Sequence, residues 1–82
     1  MSEAHSHRRQ ALRDRLREQD LDAMLVTDLL NIRYLTGFTG SNAAVLIDAE
    51  DPAGDRIATD GRYLTQVAAQ VPDLAAVIRR AC

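Results

Sequence analysis

Asn31-Ile32-Arg33-Tyr34-Leu35-Thr36-Gly37-Phe38-Thr39-Gly40-Ser41-Asn42 joins a helical pattern to a glycine-punctuated loop. Gly37 stands where a left-handed residue ends a helix, and Phe38 is placed to fold back onto the last turn. Just upstream, Ala23-Met24-Leu25-Val26-Thr27 is apolar nearly throughout. That pattern predicts a short central strand covered on both faces. Thr27 or Asp28 is positioned to cap the next helix, Leu29 to Thr36, with a side-chain oxygen accepting an early backbone N–H. Downstream, Ala43 to Ile47 reads as a second strand. Pro52 and Gly54 predict a hairpin turn within Glu50 to Asp55, and Arg56 to Thr59 the returning antiparallel strand.

The pattern extends outward from this centre. Residues 1–6 are polar and read as a flexible tail. From about residue 7 to Gln19, Leu12 and Leu16 with Ala11 make a narrow apolar stripe, with Arg and acidic residues on the other faces. This predicts a helix at the edge of the domain with a solvated charged face. Asp20 falls at the helix stop, where a left-handed backbone costs Asp about 1 kcal/mol. After the Asp60-Gly61 turn, Leu64, Val67, Ala68 and Val71 have helical spacing, so a third helix spans Arg62 to Gln70, and Pro72 stops it. Leu74 to Ile78 reads as a last strand, with Arg79-Arg80 ending the apolar run. The order of elements predicts an α/β fold, a mixed β-sheet with helices packed on its faces. The domain is expected over residues 7–82. The last strand leaves an edge that more protein should cover, so the domain is expected to be incomplete at its C-terminal end.

The chain has 82 residues, enough for one small domain. A chain of this length buries roughly 60–65% of the surface its unfolded form exposes. Hydrophobic residues make up 46% of it, which argues against disorder. With Tyr34, Phe38 and Tyr63 as the aromatic residues, the core must rest on aliphatic side chains. The formal charge of −2 gives no argument for nucleic acid binding. The basic side chains are all Arg. Several cluster near the start, interleaved with Glu3, Asp14, Glu18 and Asp20, so a phosphate-binding patch is not the expectation. Cys82 is the sole cysteine, which excludes an intrachain disulfide and makes the reducing cytoplasm the default compartment. No secretory signal and no membrane-length apolar stretch is visible.

No catalytic constellation stands out. A metal centre needs convergent carboxylates, imidazoles or thiolates, and the carboxylates fall mainly in turns and at helix boundaries. His5 and His7 in an extended tail would give two ligands without a third. A serine triad lacks a plausible base. Gly37-x-x-Gly40 has neither the Lys nor the spacing of a P-loop.

Two segments carry double readings. In one, Gly37 and Gly40 let backbone N–H groups approach a ligand, Thr39, Ser41 and Asn42 supply short polar groups, and Phe38 forms an apolar wall. In the other, Gly37 ends a helix, Phe38 fills the core and Gly40 turns the chain into the strand. Likewise Asp60 either caps the third helix and pairs with Arg62, or Arg62 points into a shared cleft toward a carboxylate. Tyr34 and Tyr63 read as half-buried packing residues with hydrogen-bonded hydroxyls.

Leu21-Asp22-Ala23, Asn31 to Phe38, Gly40-Ser41-Asn42 and Asp60-Gly61-Arg62-Tyr63, in this order and spacing, resemble the creatinase/prolidase-type N-terminal domain of bacterial Xaa-Pro peptidases, the aminopeptidase P and Xaa-Pro dipeptidase family. The resemblance covers about residues 7–80 and implies a ribonuclease H-like fold. It also implies a C-terminal catalytic domain of the pita-bread type, holding two divalent metals, usually manganese, that activate water against the amide bond before proline. None of those metal-binding motifs occurs here, so no metal, cofactor or catalytic residue is assigned to this chain. The implied partners are that catalytic domain, a second subunit in a homodimer and short proline-containing peptides. Phe38, Thr39, Ser41, Asn42 and Arg62 are the implied substrate-adjacent residues, with the domain shaping the cleft. A stand-alone peptide-binding module and the N-terminal domain of a creatinase-like hydrolase are the alternatives.

Overall fold

The computed structural model describes residues 2–79; the expectations on Arg80 and Cys82 lie outside them. Helix α1 runs from Ser2 to Glu18, β1 from Ala23 to Val26, α2 from Leu29 to Thr36, β2 from Ala43 to Asp48, β3 from Arg56 to Asp60, α3 from Leu64 to Gln70 and β4 from Ala75 to Arg79. Short 3-10 turns, Pro52–Gly54 and Gly61–Tyr63, precede β3 and α3. The four strands form one sheet in the order β1-β2-β3-β4. The first two pairings are antiparallel and the last is parallel. The expected mixed sheet with flanking helices is thus the fold.

The sheet's inner face is set by register. Val26 pairs with Val45 and Val45 with Ile57, so the three share one side of the pleat. They join Ile47, Ile32, Leu35, Phe38, Leu16, Val67 and Val71 in a single buried cluster fed by all three helices. Each such aliphatic side chain stabilises the fold by about 1.5–3 kcal/mol on burial. Among the described residues no helix is long and apolar enough to cross a membrane.

Three expectations about α1 and β1 are corrected. Helix α1 begins at Ser2, so residues 2–6 are its first turns rather than a tail. Apolar spacing could not show this, because the helix start is held by polar and ring contacts: the His5 imidazole lies against Gly37, where an added Cβ would stand 2.8 Å from Cε1. Strand β1 is an edge strand, not a central one, with Ala23, Met24 and Leu25 exposed and Val26 alone buried. Its uniform apolarity reflects two faces that tolerate apolar side chains, which periodicity reads the same way as two covered faces.

The charged side of α1 is the third. Arg9 and Arg13 lie one turn apart and are buried with Leu16, Arg13 being only 2% exposed. Arg9 donates to the Leu35 carbonyl and to Asp73. Arg13 donates to the Asp48 carbonyl (2.8 Å), to Gln10 (2.7 Å) and to Asp55. These cations are clamps between α1 and the loops at one end of the sheet. A guanidinium reaches such partners while its stem packs against apolar neighbours.

The punctuation residues behave as the sequence indicates. Asp20 has φ 57° and Gly37 φ 81°, the two left-handed helix stops. Asp28 occupies the N-cap of α2 in extended geometry, but its side chain makes no capping hydrogen bond, contrary to expectation. Asp60 does cap the turn into α3, accepting from the Arg62 N–H. Leu64, expected on the apolar side of the third helix, is exposed, because the helix proper begins there after a 3-10 turn.

Candidate functional site

The loop between α2 and β2 lies along α3 and the turn that precedes it, and the sequence explains how it is braced. Thr36, the last residue of α2, turns its hydroxyl inward to donate to the Ile32 carbonyl and to accept from the Phe38 N–H. That bond, with Gly37 in the left-handed region, directs Phe38 into the core. The Phe38 ring meets Tyr63 edge-on, 5.6 Å between centroids and 88° between planes. Gly40 lies on top of that ring: an added Cβ would stand 2.4 Å from Phe38 Cζ, so glycine is the residue that lets the turn close. Phe38 therefore lies beneath the loop, not on its surface.

The remaining loop residues are exposed and fixed by partners from β3 and α3. Thr39 donates its N–H to Gln70 Oε1 (3.0 Å), and its hydroxyl accepts from Gln66 Nε2 (2.9 Å) and Gln70 Nε2 (3.0 Å). The Ser41 N–H donates to the Tyr63 hydroxyl (3.2 Å), and the two hydroxyls share a second bond. Asn42 Nδ2 donates to Asp60 Oδ2 (2.9 Å), and the Thr59 hydroxyl donates to the Asn42 carbonyl. Gln66 and Gln70, one turn apart on α3, are the residues that sequence reasoning missed. Their signal was present in the i, i+4 spacing on the helix that follows Asp60-Gly61-Arg62-Tyr63.

Asp60 is the hub of this arrangement. It is 2% exposed, at the end of β3. It accepts from the Arg62 N–H (2.9 Å), from Arg62 Nε (3.1 Å) and Nη2 (2.7 Å), and from Asn42. The Arg62 guanidinium, and then Asn42, hold the Asp60 carboxyl well below the usual carboxylate range against the opposing pull of burial. The same bond raises Arg62 above its ordinary value. Arg62 keeps 65% of its side chain exposed and stands beside the Tyr63 ring, 5.2 Å from its centroid. Hydrogen bonding from Ser41 lowers the Tyr63 phenol below its ordinary value. Tyr63 is thus the half-buried, hydrogen-bonded residue expected. Tyr34, by contrast, is exposed and covered on one side by Arg8, 4.3 Å from the ring centroid.

The structure therefore brings Thr39, Ser41, Asn42 and Arg62 to one end of the sheet, around Asp60 and Tyr63. Such a surface can hydrogen-bond a peptide or carboxylate through fixed hydroxyl, amide and guanidinium groups. It contains no nucleophile paired with a base. Among the described residues no three His, Cys, Asp or Glu side chains come together to hold a metal, and His5 and His7, two apart on a helix, do not share a face. A hollow of about 730 Å³ lies between α1, β1 and α2 and is lined by none of the loop residues.

The family described as the creatinase/prolidase N-terminal domain matches residues 8–81. The creatinase/prolidase-like N-terminal domain from Corynebacterium diphtheriae is 54% identical and superposes with a TM-score of 0.88 over 95% of this chain and 61% of that one. An Xaa-Pro aminopeptidase structure from Streptococcus pyogenes is 36% identical, with a TM-score of 0.86 over 98% of this chain and 60% of that one. An uncharacterized peptidase, YqhT, of Bacillus subtilis (strain 168) is 42% identical over 62 residues, 73% of this chain but only 16% of that protein. The match runs through α1, the glycine loop and the Asp60 hub alike, and it places the chain among the creatinase/prolidase N-terminal domains, the family of N-terminal domains found in Xaa-Pro peptidases.

Proposed function

We propose that this chain is the non-catalytic N-terminal domain of a cytoplasmic, metal-dependent Xaa-Pro peptidase, and that its loop from Phe38 to Asn42, with Arg62, borders the substrate cleft of an enzyme that cleaves the amide bond before proline. Two divalent metals, manganese by family resemblance, would sit on a separate catalytic domain, and a homodimer would bring the loop to the cleft. The observation that carries this reading is the loop itself. Its backbone and hydroxyls are locked by Gln66, Gln70, Tyr63 and Asp60, yet Thr39, Ser41 and Asn42 remain exposed. A surface held in one shape in advance loses little entropy when it meets a ligand. A rigid wall also limits how far a peptide extends beyond the scissile bond, which favours short substrates.

The test uses a full-length peptidase carrying this domain. Asn42→Ala and Arg62→Ala are each expected to raise KM for short Xaa-Pro peptides several-fold, or to shift the preferred peptide length, with kcat changing less. Unchanged KM and length preference in both variants remove the loop from the cleft.

A further inference from the structure

Strand β1 closes one side of the sheet, and among the described residues no strand pairs with its outer edge. The ladder to β2 shows which backbone groups that leaves open. The Ala49 N–H donates to the Asp22 carbonyl at 2.9 Å, and bonded and unbonded positions alternate along an antiparallel pair. With Ala23 opposite Asp48 and Met24 opposite Ile47, Met24 and Val26 therefore bond to β2. The Asp48 N–H, opposite Ala23, accordingly turns the other way, to Asp55 Oδ1. The N–H and C=O groups of Ala23 and Leu25 point outward, away from β2. Natural edge strands are commonly blunted by charge, proline or a bulge. Ala23–Val26 carries neither charge nor proline, and its register with β2 runs without a bulge. Met24 and Leu25 are 44% and 62% exposed.

The hollow between α1, β1 and α2 opens beside this edge, and Met24, Leu25 and Val26 line it from the strand. Met24 and Val26 lie on the side of the pleat that faces the helices, since Val26 belongs to the buried cluster. A strand added to β1 would turn every second side chain toward the same hollow, where Leu12 and Leu35 supply more apolar wall. The charge around it is mostly positive. A second hollow adjoins the first through Arg8 and Tyr34, and the two together are lined by Arg8, Arg15 and Arg33, with Asp28 as their sole acid. Arg8 is held by the Tyr34 carbonyl and ring, whereas the Arg15 guanidinium makes no hydrogen bond or ion pair among the described residues. Exposed Arg, Tyr and Met around an apolar hollow are the side chains enriched at binding surfaces. A second copy is a poor occupant, because pairing β1 with itself about a two-fold axis would set the arginines of both α1 helices along one seam. We propose that the open edge of β1 and the adjoining hollow take an extended acidic segment of another protein. It adds as a strand, places alternate apolar side chains in the hollow and brings its carboxylates to the surrounding arginines. No residue of the glycine loop lines the hollow beside β1, so the inference does not rest on the cleft role of that loop.

The experiment titrates the 82-residue chain into a short fluorescent peptide in which valine alternates with threonine and glutamates flank both ends. Circular dichroism checks that the chain and each variant are folded. The expected result is saturable binding that weakens as salt is added. Amide hydrogen exchange should show new protection at Ala23 and Leu25, the open donors, and little change at Met24 and Val26, which already bond to β2. Leu25→Pro removes an edge donor that β2 does not use, and Arg15→Glu reverses an unpaired cation; each should weaken binding about tenfold. Leu64→Asp, on the α3 helix that packs beside β4, should leave it unchanged. A peptide N-methylated along its pairing edge should not bind, which tests strand addition even where Leu25→Pro fails to fold. A peptide with lysine in place of glutamate should bind about tenfold more weakly. Absence of saturable binding overturns the proposal, as does binding that leaves Ala23 and Leu25 unprotected. Binding indifferent to N-methylation, to Arg15→Glu or to the exchange of glutamate for lysine overturns it as well. Protection of Ala23 and Leu25 that grows with chain concentration in the absence of peptide would overturn it by assigning the edge to a second copy. None of these outcomes involves peptidase activity, so the cleft reading stands or falls separately.

Discussion

Replacing Asp55 by Ala should be among the most damaging single changes in this domain. Arg13 and Asp55 form an ion pair with side chains only 3% and 2% exposed. The alanine leaves the guanidinium buried with the Asp48 carbonyl and Gln10 as neutral partners. It also leaves the Asp48 N–H without the acceptor it finds at 2.9 Å in Asp55 Oδ1. Stranding one member of a buried pair costs about 3–5 kcal/mol. Total stability at roughly 0.05–0.15 kcal/mol per residue comes to about 4–12 kcal/mol for a chain of this size. Asp55→Ala therefore removes about a quarter or more of it. The double variant Arg13→Met/Asp55→Asn removes both charges, keeps an acceptor for the Asp48 N–H and preserves the apolar stem. It should recover at least half of the loss. Urea unfolding followed by far-UV circular dichroism gives both values. A single variant that loses less than about 1 kcal/mol, or a double variant less stable than the single, would show that the pair is not the uncompensated charge this reasoning requires.

Other outcomes follow from named residues. Asp20→Gly relieves a left-handed Asp at φ 57° and should raise stability by about 0.5–1 kcal/mol, read from the urea midpoint. Ser41→Ala removes the main cause of the lowered Tyr63 ionisation. In a Tyr34→Phe background the phenolate absorbance should then titrate at higher pH than it does with Ser41 present. Asp60 contributes through a folded pKa below its unfolded value, so its stabilisation is present above the unfolded Asp value of about 3.9 and is lost as pH falls below it. Asp60→Asn should flatten the stability profile in that acidic window, measured by thermal unfolding from pH 5 downward.

Much of the architecture was legible because it is written in local code. Gly37 and Asp20 mark their helix stops by backbone need, and Pro52 and Gly54 mark the turn between β2 and β3. The errors share one cause. Arg9 and Arg13 look like surface residues in a linear pattern, since nothing local reveals that Asp73 and Asp55, 64 and 42 residues away, will neutralise them. Strand β1 reads as central because periodicity measures apolarity and not coverage. At the candidate site, Asp60 and Arg62 were visible as neighbours in sequence. The hold of Gln66 and Gln70 on Thr39 was not, because it joins a loop to a helix about 30 residues later.

The position of the glycine loop is decided at the other end of the chain. Arg8 and Arg9 donate to the carbonyls of Tyr34 and Leu35, acceptors that the last turn of α2 leaves without helical partners. Cationic donors there also complement the negative end of the helix dipole. Fusing a tag to the first residues, or clipping them during purification, would thus act at a distance, unlatching the end of α2 and letting Gly37 and everything after it drift. Kinetic work on any peptidase built with this domain should begin from an unaltered amino terminus.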